Sequence, residues 1–142
     1  MSDTAITGAS GLVGGDLLKA LIRRGATTRA IVRSPEAART VESLGGAPII
    51  ADLFDHDALR DAMWGADVLY HVAGVNDTCA RDSAAMDRVN IDGTRSVVAA
   101  AAAAGVGRVV YTSSAAAIGE NEGIVASEQI VNNGEFLSPY AR

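Results

Sequence analysis

Short runs rich in apolar and β-branched residues alternate along this chain with longer stretches whose apolar positions recur every three or four residues. Residues 4–7 form the first short run, which ends at Gly8. Leu12, Val13, Leu17, Leu18, Leu21 and Ile22 then follow at helical spacing, with Gly25 as a C-terminal stop. Residues 27–32 read as a second strand. Ser34-Pro35-Glu36 has the composition of a helix start, with a capping hydroxyl, a proline in the first turn and an acid near the positive dipole end. That helix stops at Gly45-Gly46, and residues 47–51 form a third strand, with Pro48 near its beginning where a missing donor is tolerated. Asp55 caps a helix that runs to Trp64 and stops at Gly65. Residues 67–72 are a fourth strand, an alanine-heavy helix ends at Gly105, and residues 108–112 are a fifth strand.

Strands alternating with helices through short connectors predict an α/β fold, a parallel sheet covered by helices on both faces with right-handed crossovers. The alanine run favours helix through propensity and close packing. Composition narrows the setting. The chain has 142 residues, 49% of them apolar and 20% charged, which suits one soluble domain. Its longest apolar stretch, residues 97–104, is far short of a membrane span, and no cationic start followed by an apolar block suggests a signal peptide. Cys79 is the single cysteine, which excludes an internal disulfide and fits a reducing compartment. A net charge of −5 argues against a nucleic-acid or anionic-membrane partner. The expected location is cytoplasmic.

The first turn carries the strongest chemical signal. Gly8, Gly11 and Gly14 follow a strand directly and open a helix. A dinucleotide pyrophosphate needs this arrangement: one glycine for the tight turn, one for close approach of the backbone to phosphate, and one for close helix–strand packing. The free N–H groups of the helix start, with its dipole, then face negative charge. Ser10, Gly11, Leu12 and Val13 are the residues whose backbone would meet the phosphates.

The spacing Gly-x-x-Gly-x-x-Gly after a threonine resembles the extended short-chain dehydrogenase/reductase superfamily, the NAD-dependent epimerase/dehydratase family. Later stretches agree in order: Asp52-Leu53, His71-Val72-Ala73-Gly74, Val89-Asn90-Ile91-Asp92-Gly93-Thr94, Arg108 through Thr112-Ser113-Ser114-Ala115, and Ser138-Pro139-Tyr140-Ala141-Arg142. Their wording is most similar to the dihydroflavonol-reductase-like branch. The resemblance implies a doubly wound Rossmann sheet with strand order 3-2-1-4-5, truncated after the fifth strand. Residues 1–142 would then be an incomplete NAD(P)-binding domain whose substrate domain is absent. It also implies that Asp52 and Leu53 line the adenine pocket, that Val72, Ala73 and Gly74 run beneath the cofactor, and that Asn90 and Thr112 belong to the cofactor site.

Arg33 bears on the choice of cofactor. An NAD enzyme usually places a carboxylate at the end of the second strand to bind the ribose hydroxyls. Between Gly14 and Arg33 the one acid is Asp16, in the first helix. A planar, always charged guanidinium at that position suits a 2′-phosphate, and it matches the arginine of the branch. NADP(H) is therefore expected over NAD(H).

In the superfamily a tyrosine phenol exchanges a proton with the substrate oxygen, a serine hydroxyl holds that oxygen, and a lysine lowers the tyrosine pKa, which is ~10 when free. Tyr140 matches the tyrosine and Ser114 the serine, with Ser113 as rival. The lysine belongs four residues after Tyr140, so the 142 residues alone are expected to be inactive. His71 reads as a packed, hydrogen-bonded core residue, His56 as solvated, and Trp64 as packed under the third helix. Cys79 lies in a loop without a nucleophile's partners, and no metal-ligand cluster stands out.

Three functions remain open from sequence. The first is an NADP-dependent oxidoreductase acting on a carbonyl or secondary alcohol, with Tyr140 as acid-base. The second is a nucleotide-sugar epimerase or dehydratase using the same residues, and the third a non-catalytic NAD(P)-binding module. The expected partner is a small carbonyl, alcohol or nucleotide-sugar substrate, with a homodimer as an allowed assembly.

Overall fold

The computed structural model describes residues 2–77, 82–119, 125, 127–132, 134, 138 and 140. Five parallel strands form one sheet in the order β3-β2-β1-β4-β5. They are β1 (Asp3–Thr7), β2 (Thr27–Val32), β3 (Ala47–Ile50), β4 (Val68–His71) and β5 (Arg108–Tyr111). Helices α1 (Leu12–Arg23), α2 (Pro35–Ser43) and α3 (His56–Met63) fill the first three connections. The fourth is one helical run in three parts: α4 (Ala84–Asp87), a π-helical segment (Arg88–Gly93) and α5 (Thr94–Ala103). The expected strand order is the observed one.

Both faces of a parallel sheet are buried, so successive residues of one strand feed opposite cores. Ile6, Ala30 and Val32 pack with Leu18, Ala38 and Val41 on the α1/α2 side. Ala5, Ile31 and Leu69 pack on the other side with Leu59, Met63, Val97, Ala100, Ala101 and Ala104. The alanines let α5 lie close against α3, the packing use expected of that run.

Helix starts follow the sequence signals. The Ser34 hydroxyl accepts the Ala37 N–H at 3.3 Å to cap α2, and the Asp55 carboxylate accepts the Ala58 N–H at 3.0 Å to cap α3. Pro48 sits on β3, which is the outer strand of the sheet beside β2.

One expectation changes. Trp64 is not packed under α3: it is 67% exposed, and its carbonyl accepts a 2.7 Å hydrogen bond from Arg29 Nη1. The buried stripe of α3 is Leu59, Ala62 and Met63, and at Trp64 the backbone turns extended, which carries the indole away from the core. All four β5 residues are exposed. Cys79 and the Pro139, Ala141 and Arg142 positions of the last motif lie outside the described residues.

Candidate functional site

All five strands point their carboxyl ends the same way, and the sheet order reverses between β1 and β4. Loops leaving neighbouring strands there diverge to opposite faces and leave a crevice. Two adjoining clefts occupy it, of about 490 Å3 and 420 Å3.

The first cleft is lined by Gly8, Ser10, Gly11, Leu12, Val13 and Gly14 from the β1–α1 turn, by Arg33 at the end of β2, and by Leu53, Val72, Ala73 and Gly74. These residues come from four separate chain segments, and each is a sequence-predicted contact. Gly8 makes the turn possible with φ +77°, a left-handed conformation that other residues adopt only under strain. Gly14 faces the Gly8 carbonyl so closely that a Cβ there would stand 2.2 Å from its oxygen.

Helix α1 differs from α2 and α3 at its start. No side chain caps it and no acid lies in its first turn, whereas α2 carries Ser34 and Glu36 and α3 carries Asp55 and Asp57. Its first N–H groups therefore lack the side-chain oxygen that the other helices supply, and its dipole end is uncompensated. A bound anion fits that deficit. Arg33 adds a cation to the same cleft, is exposed, and pairs with no carboxylate among the described residues. Leu12 and Val13, 85% and 60% exposed, put apolar surface beside the polar turn.

The second cleft is lined by Val72, Ala73, Gly74, Asn90, Thr112, Ser113, Ser114 and Tyr140. Both candidate serines and the tyrosine thus share one cavity. Ser114 Oγ accepts the Ala116 N–H at 3.2 Å, starting a short 3-10 turn (Ala115–Ile118), and keeps its own proton to donate. Ser113 is exposed.

Two predicted residues are placed otherwise than as simple cofactor contacts. Asp52 lies outside both linings, and its carboxylate accepts the Phe54 N–H at 2.8 Å. Asn90 lines the second cleft, yet its amide is engaged at both ends with the Val75 backbone, donating to the carbonyl and accepting from the N–H, each at 2.8 Å. Val75 and Asn76, which line both clefts, were missed by the sequence reading. Their position directly after a strand at the reversal of sheet order is the one signal that marks them.

His71 is a core residue, as the sequence suggested, 1% exposed at the end of β4. Its Nδ1 lies 2.7 Å from Thr7 Oγ1, its Nε2 3.0 Å from Thr94 Oγ1, and its ring centroid 5.5 Å from that of Tyr111. Burial pushes its pKa from the ordinary 6.5 down to about 4. The unfolded chain therefore takes up a proton before the folded one does. Above pH 6.5 the histidine is neutral in both states; as pH falls from 6.5 toward 4, stability is lost. By pH 4.5 the loss from this residue is about 2–3 kcal/mol, at 1.36 kcal/mol per pKa unit. Denaturant titrations at pH 7 and pH 4.5 should show that much less pH dependence in His71→Asn than in the parent. Equal pH dependence in the two would refute the assignment.

Among the described residues no group of three His, Cys, Asp or Glu could hold a metal, and no helix is long and apolar enough to cross a membrane.

Comparison with known proteins agrees with this geometry. Residues 5–142 match the 3-beta hydroxysteroid dehydrogenase/isomerase family. The chain is 40% identical over 126 residues to the 4-hydroxy-2-methyl-3-oxo-4-farnesyl-3,4-dihydroquinoline-1-oxide ketoreductase of Stigmatella aurantiaca, covering 89% of this chain and 37% of that protein. It is 40% identical over 114 residues to a dihydroflavonol-4-reductase-like protein of Synechocystis sp., covering 80% of this chain and 33% of that one. A short-chain dehydrogenase/reductase superfamily protein from Agrobacterium tumefaciens, crystallised with bound NAD, superposes with a TM-score of 0.78 at 30% identity, over 98% of this chain and 40% of that one. The chain thus spans about a third of the length of the relatives it matches. The glycine turn, the sheet order and these matches agree, and the chain belongs to the 3-beta hydroxysteroid dehydrogenase/isomerase family, within the extended short-chain dehydrogenase/reductase superfamily.

Proposed function

We propose that this chain is the nucleotide-binding part of an oxidoreductase that uses NADP(H) to interconvert a carbonyl and a secondary alcohol. The observation that carries the proposal is the pairing, in one cleft, of an uncapped helix N-terminus with Arg33. The backbone of Ser10 to Val13 holds the pyrophosphate, and Leu53 and Val72 to Gly74 line the nucleotide's path. Arg33 takes the 2′-phosphate through its planar fork of donors. The bound cofactor supplies or accepts a hydride at its nicotinamide.

In the neighbouring cleft, Tyr140 gives or takes the proton of the substrate oxygen, and the Ser114 hydroxyl donates to that oxygen to hold it in line.

Calorimetric titration with NADPH and NADH tests the cofactor reading. NADPH binds more tightly to the parent, and Arg33→Ala erases the preference by roughly 10- to 150-fold, as a charged contact contributes ~1.5–3 kcal/mol. Equal affinities for both cofactors in the parent would reduce Arg33 to a solvated strand-end charge.

A further inference from the structure

The two clefts leave unexplained a buried polar chain directly beneath them. Thr7, His71 and Tyr111 stand in register at the last rung of β1, β4 and β5. Thr7 is fully buried, and its Oγ1 accepts the Ala73 N–H at 3.2 Å besides meeting His71 Nδ1 at 2.7 Å. On the far side of the ring, Nε2 meets the hydroxyl of Thr94, the first residue of α5.

Thr7 Oγ1 accepts from Ala73 and can both donate its own proton and accept a second one, so the contacts fit either ring tautomer. The tautomer with a bare Nδ1 gives the chain one direction: Thr7 donates to Nδ1, and the single N–H, on Nε2, donates to Thr94 Oγ1. The series then runs from the Ala73 amide through Thr7 and His71 to α5. The low pKa of the ring keeps it neutral throughout the neutral pH range.

We propose that His71 is a positioning residue for cofactor binding, fixing the Ala73 peptide and the start of α5 relative to one another beneath the wall that the two clefts share. The proposal rests on the cofactor-binding reading above. Ala73 and Gly74 line both clefts. Ala73 also abuts the glycine turn, where a Cβ on Gly8 would stand 2.6 Å from the Ala73 nitrogen. A shift of the Ala73 peptide is therefore transmitted to the phosphate-binding backbone at one end and to the second cleft at the other. An apolar residue at position 71 would fill the space but leave the buried Thr7 hydroxyl and the half-buried Thr94 hydroxyl without the ring as partner, which is unfavourable above all for Thr7.

The test compares the parent with His71→Phe, His71→Asn and Thr94→Val. Asparagine can place an oxygen near the position of Nδ1 and so keep the acceptor for Thr7. Thr94→Val leaves the ring in the core and removes only its α5 partner, which keeps the test open should His71→Phe not fold. In the parent, 15N resonances of the ring report a bare Nδ1 and a protonated Nε2. Dissociation constants for NADPH rise about tenfold in His71→Phe and in Thr94→Val, and His71→Asn recovers part of the loss, on the scale of one buried hydrogen bond. Hydrogen exchange of the Ala73 amide, read in the cofactor-free protein, speeds up in His71→Phe and stays slow in His71→Asn. Unchanged NADPH affinity in both folded variants, a proton on Nδ1, or unchanged Ala73 exchange overturns the proposal. A parent protein that binds neither NADPH nor NADH overturns the function proposed above and His71's role in it, whatever the amide exchange shows.

Discussion

Gly11→Val weakens NADPH binding on the order of 100-fold in a chain that still folds. Gly11 has φ −87° and ψ 175°, an extended conformation open to any residue. A Cβ there meets only the Gly8 carbonyl oxygen, at an ordinary 3.4 Å. The folded protein therefore has room for a side chain. The ligand has none, because Gly11 is the exposed N-cap of α1 and lines the first cleft. A branched side chain at that point holds phosphate away from the first-turn N–H groups. Losing two charge-assisted hydrogen bonds at about 1.5 kcal/mol each weakens binding on the order of 100-fold. Circular dichroism with calorimetric titration checks both halves, and a folded variant with parental affinity would remove the glycine turn from the site.

Gly14→Ala acts on the fold instead. The added Cβ would lie 2.2 Å from the Gly8 oxygen, 2.7 Å from its carbonyl carbon and 3.0 Å from the Ala9 nitrogen. These are backbone atoms of the tight turn and cannot rotate aside, so the corner between β1 and α1 must open. The expected destabilisation is roughly 4 kcal/mol or more, at the severe end for one substitution. That is a large share of the 5–15 kcal/mol typical of native proteins, and the melting temperature falls by on the order of 10 °C. Gly15→Ala is the matched control. Its Cβ comes no nearer than 3.3 Å to any neighbour, and alanine's helix propensity offsets mild crowding. Equal melting temperatures for the two variants would show that the corner yields easily.

Local signals carried most of the fold. Ser34, Asp55, Gly25 and Gly45 act within a few residues of themselves, so caps and stops were legible and the element order followed. The first cleft was legible for the same reason, since one turn of eight residues supplies seven of its eighteen lining residues. Contacts between distant segments were not legible. Nothing in the sequence indicates that the Asn90 amide grips the Val75 backbone, fifteen residues away. Trp64 misled because size and hydrophobicity suggest burial, whereas the path of the chain past the end of α3 sends it outward. Val75 and Asn76 bear no distinctive chemistry, and position alone brings them to the cleft.

The π-helical segment between α4 and α5 decides how the chain can change length. An α-helix turns about 100° per residue, and a π segment accommodates an extra residue within one turn. Met86 and Asn90 lie on or before that segment, and the buried stripe of Val97, Ala100 and Ala101 lies after it. Losing one residue there would convert the π turn to an α turn and keep the phase of the two halves. Losing one from α5 itself would turn everything upstream by about 100° and take Asn90 off the Val75 backbone. Insertions and deletions at the Gly65 or Gly105 turns carry no such rotation, since both lie past the ends of their helices. Within this helix, the π turn is the one place where a residue can be gained or lost without turning one half against the other.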